Sequence, residues 1–282
     1  MLLFLTLACG EPADTGPDAD SGGATDTDTA GGDSGGGDSA DTDDTGGVEP
    51  VRTLRLGIPS YANAGTAEWT GFVEGAAATD GFVIVNPDSG PGSTIDEAWL
   101  TSVEEARALG VTVLGYVPTG YGAREADAID GDVNQYTTWY GVDGIFFDEV
   151  GEDCEGLAGW YAERAAAADA LVSSGDALVV MNPGLVTCAA YLDAADVLVV
   201  AEDRLALISD FEPADWMASY GPERFMFLAY DAPGADLGQT LKFVHDAGIG
   251  WTYITDDRPR NPWDELPTYW EAEVSAVVEF VE

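Results

Sequence analysis

The stretch Gly144-Ile145-Phe146-Phe147-Asp148-Glu149 is a short apolar run that ends in two adjacent carboxylates. It is the fourth of eight similar runs that recur about every 28 residues. Short, continuous apolar runs bounded by Gly, Pro, Asn or Asp are typical of strands that are buried on both faces. The predicted strands are 53–61, 81–87, 112–118, 144–150, 177–183, 196–202, 224–230 and 251–256.

Segments with helical character fill the gaps between these runs. Only a very short helix fits between the fifth and sixth strands, at 189–194. Strand and helix alternating eight times predict an α/β fold, a single (β/α)₈ barrel of the TIM type. An open doubly wound sheet is the main rival, but no glycine-rich dinucleotide-binding fingerprint follows the first strand. Longer helices are predicted at 95–109, 157–172, 236–247 and 269–281.

Composition divides the 282 residues into three parts. Residues 1–9 resemble a bacterial lipoprotein signal in which Cys9 is lipidated, although no basic residue precedes the apolar stretch. Residues 10–50 are almost entirely Gly, Asp, Thr, Ser, Ala and Pro, and we expect a disordered acidic linker. Residues 51–282 hold every Trp and Tyr and are expected to form the barrel. The protein is thus expected to be exported, as a cell-surface or outer-membrane lipoprotein or as a secreted protein.

Charge narrows the range of partners. The chain has 52 acidic and 10 basic residues, for a net charge of -42. Such a surface repels nucleic acid and anionic membranes and attracts cationic ligands. Adaptation to salty surroundings explains the charge equally well. We therefore expect that the protein binds no nucleic acid and contacts the membrane only through its lipid anchor. We also expect it to be a monomer.

The scarcity of histidine and lysine excludes several classes of reaction. The only histidine, His245, and the only lysine, Lys242, both fall inside a predicted helix. Clusters of histidine around a metal, histidine-activated nucleophiles and Schiff-base lysines are therefore excluded. Carboxylates, amides and aromatic side chains remain at the strand ends. Hydrolysis of a glycosidic bond needs two carboxyl groups in different environments and no cofactor.

Three acidic residues are the candidate catalytic groups. Asp148 and Glu149 end the fourth predicted strand, and Glu202 ends the sixth. Because neighbouring residues on a strand point to opposite sides, the favoured pair combines Glu202 with one of the other two. Magnesium or calcium held by the three acids is the strongest rival chemistry. The residues expected to bind sugar are Tyr61, Asn86, Tyr116, Tyr121, Asn182 and Tyr230.

Two of the predicted sugar-binding residues have a simpler alternative. Asn86 and Asn182 each precede a proline, and a residue in that position favours extended backbone, so both could merely end strands.

Cys154 and Cys188 follow the fourth and fifth strands and are a possible disulfide, which suits an exported protein. It would close a loop of about 35 residues, worth roughly 3–4 kcal/mol in the chain-entropy model. Two unrelated thiols are the alternative.

A set of motifs near the strand ends carries a family resemblance. The motifs are Ile58-Pro59-Ser60-Tyr61, Val85-Asn86-Pro87-Asp88-Ser89-Gly90-Pro91-Gly92, Leu114-Gly115-Tyr116-Val117, Gly120-Tyr121-Gly122, Trp139-Tyr140-Gly141-Val142-Asp143-Gly144-Ile145-Phe146-Phe147-Asp148-Glu149 and Asn182-Pro183-Gly184. Together they resemble the spherulin 4-like family, also called spherulation-specific family 4. The resemblance covers nearly all of residues 55–282.

The resemblance implies a barrel-shaped glycoside hydrolase. Characterised relatives cleave α-1,4-linked polymers of galactosamine and N-acetylgalactosamine, such as microbial exopolysaccharide. Carried over by motif, the family's acidic site residues fall at Asp148, Glu149 and Glu202. We therefore expect an endo-acting hydrolase of such a polymer. A non-catalytic carbohydrate-binding barrel and a metal-dependent hydrolase are the alternatives.

Overall fold

The computed structural model describes residues 53–280. Eight parallel strands close into a barrel in chain order, with the first strand hydrogen-bonded to the last. The predicted (β/α)₈ barrel is confirmed. The predicted signal at 1–9, with Cys9, and the linker at 10–50 lie outside the described residues. The strands are β1 (Arg55–Ser60), β2 (Phe82–Val85), β3 (Thr112–Pro118), β4 (Gly144–Asp148), β5 (Leu178–Met181), β6 (Val197–Arg204), β7 (Phe225–Tyr230) and β8 (Trp251–Ile254).

The helices form the outer layer, and they differ greatly in length. The connection between β5 and β6 contains only a 3₁₀ turn, Ala189–Asp193, where the sequence predicts a very short helix. Within residues 53–280 no helix is long and apolar enough to cross a membrane. The α-helices in this range are α1 (Ala67–Ala78), α2 (Glu97–Ala108), α3 (Ala126–Gln135), α4 (Cys154–Leu171), α5 (Leu205–Ile208), α6 (Leu237–Asp246) and α7 (Trp270–Val278).

Polar side chains fix the starting points of three helices. Thr66 accepts a hydrogen bond from the backbone of the first turn of α1, at 3.3 Å. Asp96 caps α2 in the same way at 2.8 Å, and Asp153 caps α4 at 3.1 Å. Each cap satisfies a backbone N–H that has no partner within its own helix. The strand-to-helix loops therefore end at defined residues, which holds the carboxyl face of the barrel in place.

Two glycines let other groups approach the barrel strands closely. A Cβ atom on Gly115 of β3 would lie 2.4 Å from the ring of Tyr136, which packs there from a π-helical turn at the end of α3. A Cβ atom on Gly144 of β4 would lie 2.1 Å from the carbonyl oxygen of Leu178 in β5. Only a residue without a side chain fits at these contacts, so the start of β4 depends on Gly144.

We predict that Gly144→Ala destabilises the barrel. The added methyl group has to displace backbone as well as side chain, and overpacking of this kind costs about 1–3 kcal/mol or more. Gly159→Ala in α4 is the matched control, because nothing lies within 4 Å of the new Cβ atom. That control should gain up to about 1 kcal/mol from helix propensity. Chemical denaturation of both variants checks the prediction, and equal stabilities would contradict it.

Candidate active site

The carboxyl ends of β4, β5 and β6 bring the central polar residues together. Asp148 is the last residue of β4, Asn182 directly follows β5, and Glu202 lies in β6. These strands are neighbours in the barrel, so side chains that leave their ends on the inner side converge. The three residues are indeed joined by hydrogen bonds.

The side-chain amide of Asn182 links the two carboxylates. Its Nδ2 atom donates to Oδ1 of Asp148 at 2.8 Å and to Oε2 of Glu202 at 2.5 Å. Its Oδ1 atom accepts from the backbone N–H of Gly184 at 2.9 Å, which fixes the orientation of the amide. The backbone N–H of Asn182 also donates to the carbonyl oxygen of Phe147, and its carbonyl oxygen accepts from the N–H of Val150. These two partners lie before and after Asp148 in the sequence. The residue therefore does more than end a strand before proline.

The two carboxyl groups lie in different environments. Burial, and then the negative charge of Asp148, raise the pKa of Glu202 to about 7, while the bond from Asn182 acts against this. Burial also raises the pKa of Asp148 above its usual range. Hydrogen bonds from Tyr116, from the Glu149 backbone and from Asn182 oppose that shift. Asp148 thus has more donors that favour its ionised form than Glu202 has.

A β-bulge precedes Glu202. The pairing between β6 and β7 shifts between Val199 and Ala201, so β6 has one extra residue there. A bulge changes which face the following residues present and is common beside active sites. β6 then continues to Arg204, two residues beyond the predicted end, because Glu202, Asp203 and Arg204 still pair with β7.

Glu149 lies beside this pair but is directed elsewhere. It has a left-handed backbone conformation with φ of 52°, because β4 ends at Asp148. Its Oε2 atom accepts from the backbone N–H of Gly120 at 3.2 Å, and its carbonyl oxygen accepts from Tyr121 at 2.6 Å. The Glu149 carboxylate therefore holds the loop after β3, while its negative charge adds to the raised pKa of Asp148.

Three other predicted residues contact one another on the opposite side of Asp148. The Tyr116 hydroxyl donates to Oδ2 of Asp148 at 2.7 Å. The ring of Tyr61 meets the ring of Tyr116 edge to face, at 5.9 Å between centroids. Burial raises the pKa of Tyr61 to about 12, while the neighbouring side chains of Tyr116 and Asn86 act against this shift. Asn86 also accepts a hydrogen bond from Gly90 at 2.8 Å.

The last two predicted residues lie further out. Tyr121 is 68 % exposed on the loop after β3. Tyr230 ends β7 and donates to Asp203 at 3.0 Å, and its ring packs against Trp263 at 5.8 Å. Asp203 and Trp263 were not among the residues predicted from the sequence. Asp203 directly follows Glu202 and Trp263 lies in the segment after β8, and these positions at the carboxyl face could have pointed to them.

A disulfide lies behind the loops that follow β4 and β5. It joins Cys154, at the start of α4, to Cys188, with the Cα atoms 6.0 Å apart. Tyr191, three residues after Cys188, donates to the carbonyl oxygen of Gly151 at 2.6 Å. These links hold the loop after Asp148 against the loop after Asn182.

The described part of the chain contains no group of three or more His, Cys, Asp or Glu residues placed to hold a metal ion. Both oxygens of Asp148 and one oxygen of Glu202 face N–H or O–H donors. Fold and site thus define a (β/α)₈ barrel with a paired-carboxylate centre at its carboxyl face.

The chain belongs to spherulation-specific family 4, whose model matches residues 55–277. The resemblance noted in the motifs is confirmed. Spherulin-4 of Physarum polycephalum is 28% identical over 243 residues, which cover 81% of this chain and 70% of that protein.

Solved structures show the same fold. Sph3 of Aspergillus clavatus, determined in complex with GalNAc, has a TM-score of 0.72 at 23% identity, over 80% of this chain and 98% of that one. A chitinase from Bacteroides thetaiotaomicron has a TM-score of 0.50 at 10% identity, over 79% of this chain and 95% of that one.

We predict that Glu202→Gln makes stability less dependent on pH. Because the pKa of Glu202 is about 7 in the folded chain, the folded state binds more protons than the unfolded state above the ordinary Glu value. This residue's contribution to stability therefore falls as pH rises from about 4.5 to 7. The loss of unfolding free energy between pH 5 and pH 8 should be smaller in the variant, by about 1–3 kcal/mol. Glu104→Gln, at an exposed position on α2, is the control. Identical pH dependence in the wild type and Glu202→Gln would contradict the prediction.

Proposed function

We propose that this protein is a glycoside hydrolase that cleaves its substrate with Asp148 and Glu202. The hydrogen bonds from the Asn182 amide nitrogen to both carboxylates carry the proposal. They bring two carboxyl groups that have different surroundings to either side of that nitrogen. Two carboxyl groups in different environments are what glycosidic hydrolysis needs. The fold shared with Sph3 and with a chitinase agrees with this assignment.

The hydrogen-bond donors support separate roles for the two acids. Asp148 accepts at both carboxyl oxygens, from Tyr116 and from Asn182, and both hydrogen bonds favour its ionised form. Glu202 accepts from Asn182 at Oε2, and this bond is opposed by burial and by the charge of Asp148, which favour its protonated form. A pKa of about 7 keeps Glu202 protonated in mildly acidic solution. We assign Asp148 as the ionised nucleophile and Glu202 as the general acid.

The spacing supports a retaining reaction. Oδ1 of Asp148 lies 2.8 Å and Oε2 of Glu202 lies 2.5 Å from the Nδ2 atom of Asn182. The separation of these two oxygens therefore cannot exceed the sum of the two distances. Retaining enzymes separate their carboxyl groups by about 5–5.5 Å and inverting enzymes by about 6.5–9.5 Å.

The chemical steps follow from these roles. Glu202 gives its proton to the glycosidic oxygen while Asp148 forms an ester with the anomeric carbon, and the leaving sugar departs with a new hydroxyl group. The Glu202 carboxylate then takes a proton from water. That water attacks the anomeric carbon and releases Asp148 as a carboxylate, which restores both groups.

The proposed substrate is an α-1,4-linked polymer of galactosamine and N-acetylgalactosamine, cut within the chain. Three observations support it: membership of the family, the complex of Sph3 with GalNAc, and the net charge of -42, which favours a cationic, partly deacetylated polymer. The exposed ring of Tyr121 offers a stacking surface at the rim of the barrel. We further propose that the enzyme acts as a monomer outside the cytoplasm, in keeping with its disulfide.

Asp148→Asn should lower kcat on such a polymer by about three orders of magnitude or more, since the amide cannot form the ester intermediate. Its melting temperature should stay near that of the wild type. Release of reducing ends measures the activity, and Asp143→Asn is the control, because Asp143 lies before β4 at the opposite end of the barrel. Activity of Asp148→Asn close to that of the wild type would refute the assignment. A wild-type protein that binds the polymer but releases no reducing ends would favour the carbohydrate-binding alternative.

Product stereochemistry tests the retaining reaction. The first products should have the α configuration at the new reducing end, because two successive displacements restore the starting geometry. Proton NMR spectra recorded within minutes of adding enzyme resolve the two anomers. Initial β anomers would mean direct attack by water, and Asp148 would then be a general base.

A further inference from the structure

We propose that the hydroxyl of Thr119 positions Asp148 for the reaction by holding the left-handed turn at Glu149. Thr119 directly follows β3 and Glu149 directly follows β4, and these strands are neighbours in the barrel. The hydroxyl of Tyr161, on α4, is bonded to that of Thr119 at 2.8 Å. Thr119 and Tyr161 are positioning residues, because neither has any exposed surface with which to touch a sugar. Their effect on the reaction rests on the proposed function, whereas their effect on the turn does not.

Glu149 has a backbone conformation that its residue type disfavours. At a φ of 52° its Cβ atom crowds a neighbouring carbonyl oxygen, so this conformation persists only with support from surrounding groups. Asp148, the proposed nucleophile, directly precedes Glu149 and shares a peptide group with it. Relaxation of Glu149 towards extended backbone would therefore turn the carbonyl group of Asp148.

The Thr119 hydroxyl bonds the carbonyl oxygens on both sides of this turn. Its Oγ1 atom donates to the carbonyl oxygen of Asp148 at 2.9 Å and to that of Glu149 at 2.7 Å. In an extended strand consecutive carbonyl groups point to opposite sides of the chain, so a single hydroxyl could not reach both. The Thr119 hydroxyl therefore stabilises the left-handed turn and not the extended alternative.

Tyr161 fixes the Thr119 hydroxyl relative to the end of the same turn. The Tyr161 oxygen also accepts from the backbone N–H of Gly151, two residues after Glu149, at 3.2 Å. The ring of Tyr161 packs edge to face on Tyr191 at 5.4 Å between centroids. Tyr191 in turn donates to the carbonyl oxygen of Gly151 at 2.6 Å. Buried hydroxyl groups thus hold the turn after Asp148 at both of its ends.

The test compares two substitutions of Thr119. Thr119→Val removes the hydroxyl and keeps the volume, whereas Thr119→Ser keeps the hydroxyl and loses a methyl group. Thr119→Val is expected to fold, because the carbonyl oxygens of Asp148 and Glu149 each keep a backbone N–H donor. Its kcat on an amino-sugar polymer should fall about ten- to hundredfold, as for a small misplacement of a reacting group, with KM changed less than about threefold. Thr119→Ser should keep kcat within about threefold of the wild type, although its lost methyl group costs stability.

Amide hydrogen exchange, followed by NMR, needs no substrate. The N–H of Tyr121 donates to the carbonyl oxygen of Glu149 at 2.6 Å, so its exchange rate reports on the turn. The rate should rise about tenfold or more in Thr119→Val and stay near that of the wild type in Thr119→Ser. Thr252→Val is the matched control, since it removes a fully buried hydroxyl that donates to the carbonyl oxygen of Phe227 at 2.9 Å. That control should lose stability and leave kcat and the exchange of Tyr121 unchanged.

Both changes are required in Thr119→Val, and neither in Thr119→Ser. A lower kcat without faster exchange of Tyr121, faster exchange without a lower kcat, or a higher KM with unchanged kcat overturns the proposal. Equal losses of kcat in the two variants also overturn it, because the hydroxyl would then not be the cause. If Thr119→Val does not fold, Tyr161→Phe decides by the same two measurements, with smaller changes expected. If the wild type cleaves no amino-sugar polymer, the proposed function fails, while the exchange rates still decide whether Thr119 holds the turn.

Discussion

The carboxyl face of this barrel depends on one shared amide. Two carboxylates brought together in a partly buried pocket repel each other, and burial alone penalises both charges. Asn182 offsets this by turning both hydrogens of its Nδ2 atom towards Asp148 and Glu202. Its orientation is fixed by Gly184, and its backbone is bonded to β4 on both sides of Asp148. The spacing of the two acids is therefore set by the packing of three neighbouring strands.

The fold and the centre of the site were predictable because both follow from regular patterns. Eight apolar runs separated by helical segments leave few architectures other than a closed parallel barrel. In such a barrel the strand ends share one face, so Asp148, Asn182 and Glu202 could be selected from their positions alone. Neither a histidine nor a lysine competes for the chemistry there.

The finer arrangement depends on features that a sequence pattern does not reveal. The bulge before Glu202 is one inserted residue in an unbroken apolar run, and it shows only in the pairing with β7. Glu149 is next to Asp148, but its left-handed backbone directs its carboxylate to Gly120. The same limit applies to Tyr116, since residue type cannot distinguish a ring that binds sugar from a phenol that donates to a carboxylate. Asp203 and Trp263 were missed because their partners are distant in sequence.

The disulfide has a practical consequence for anyone who prepares this protein. Cys154 and Cys188 join the segments that follow two of the three central strands, behind Asp148 and Asn182. A recombinant host with a reducing cytoplasm would deliver two thiols in place of that crosslink. Batches made in different compartments would then differ in how firmly those loops are held. Titration of free thiols should therefore accompany every comparison of specific activity between preparations.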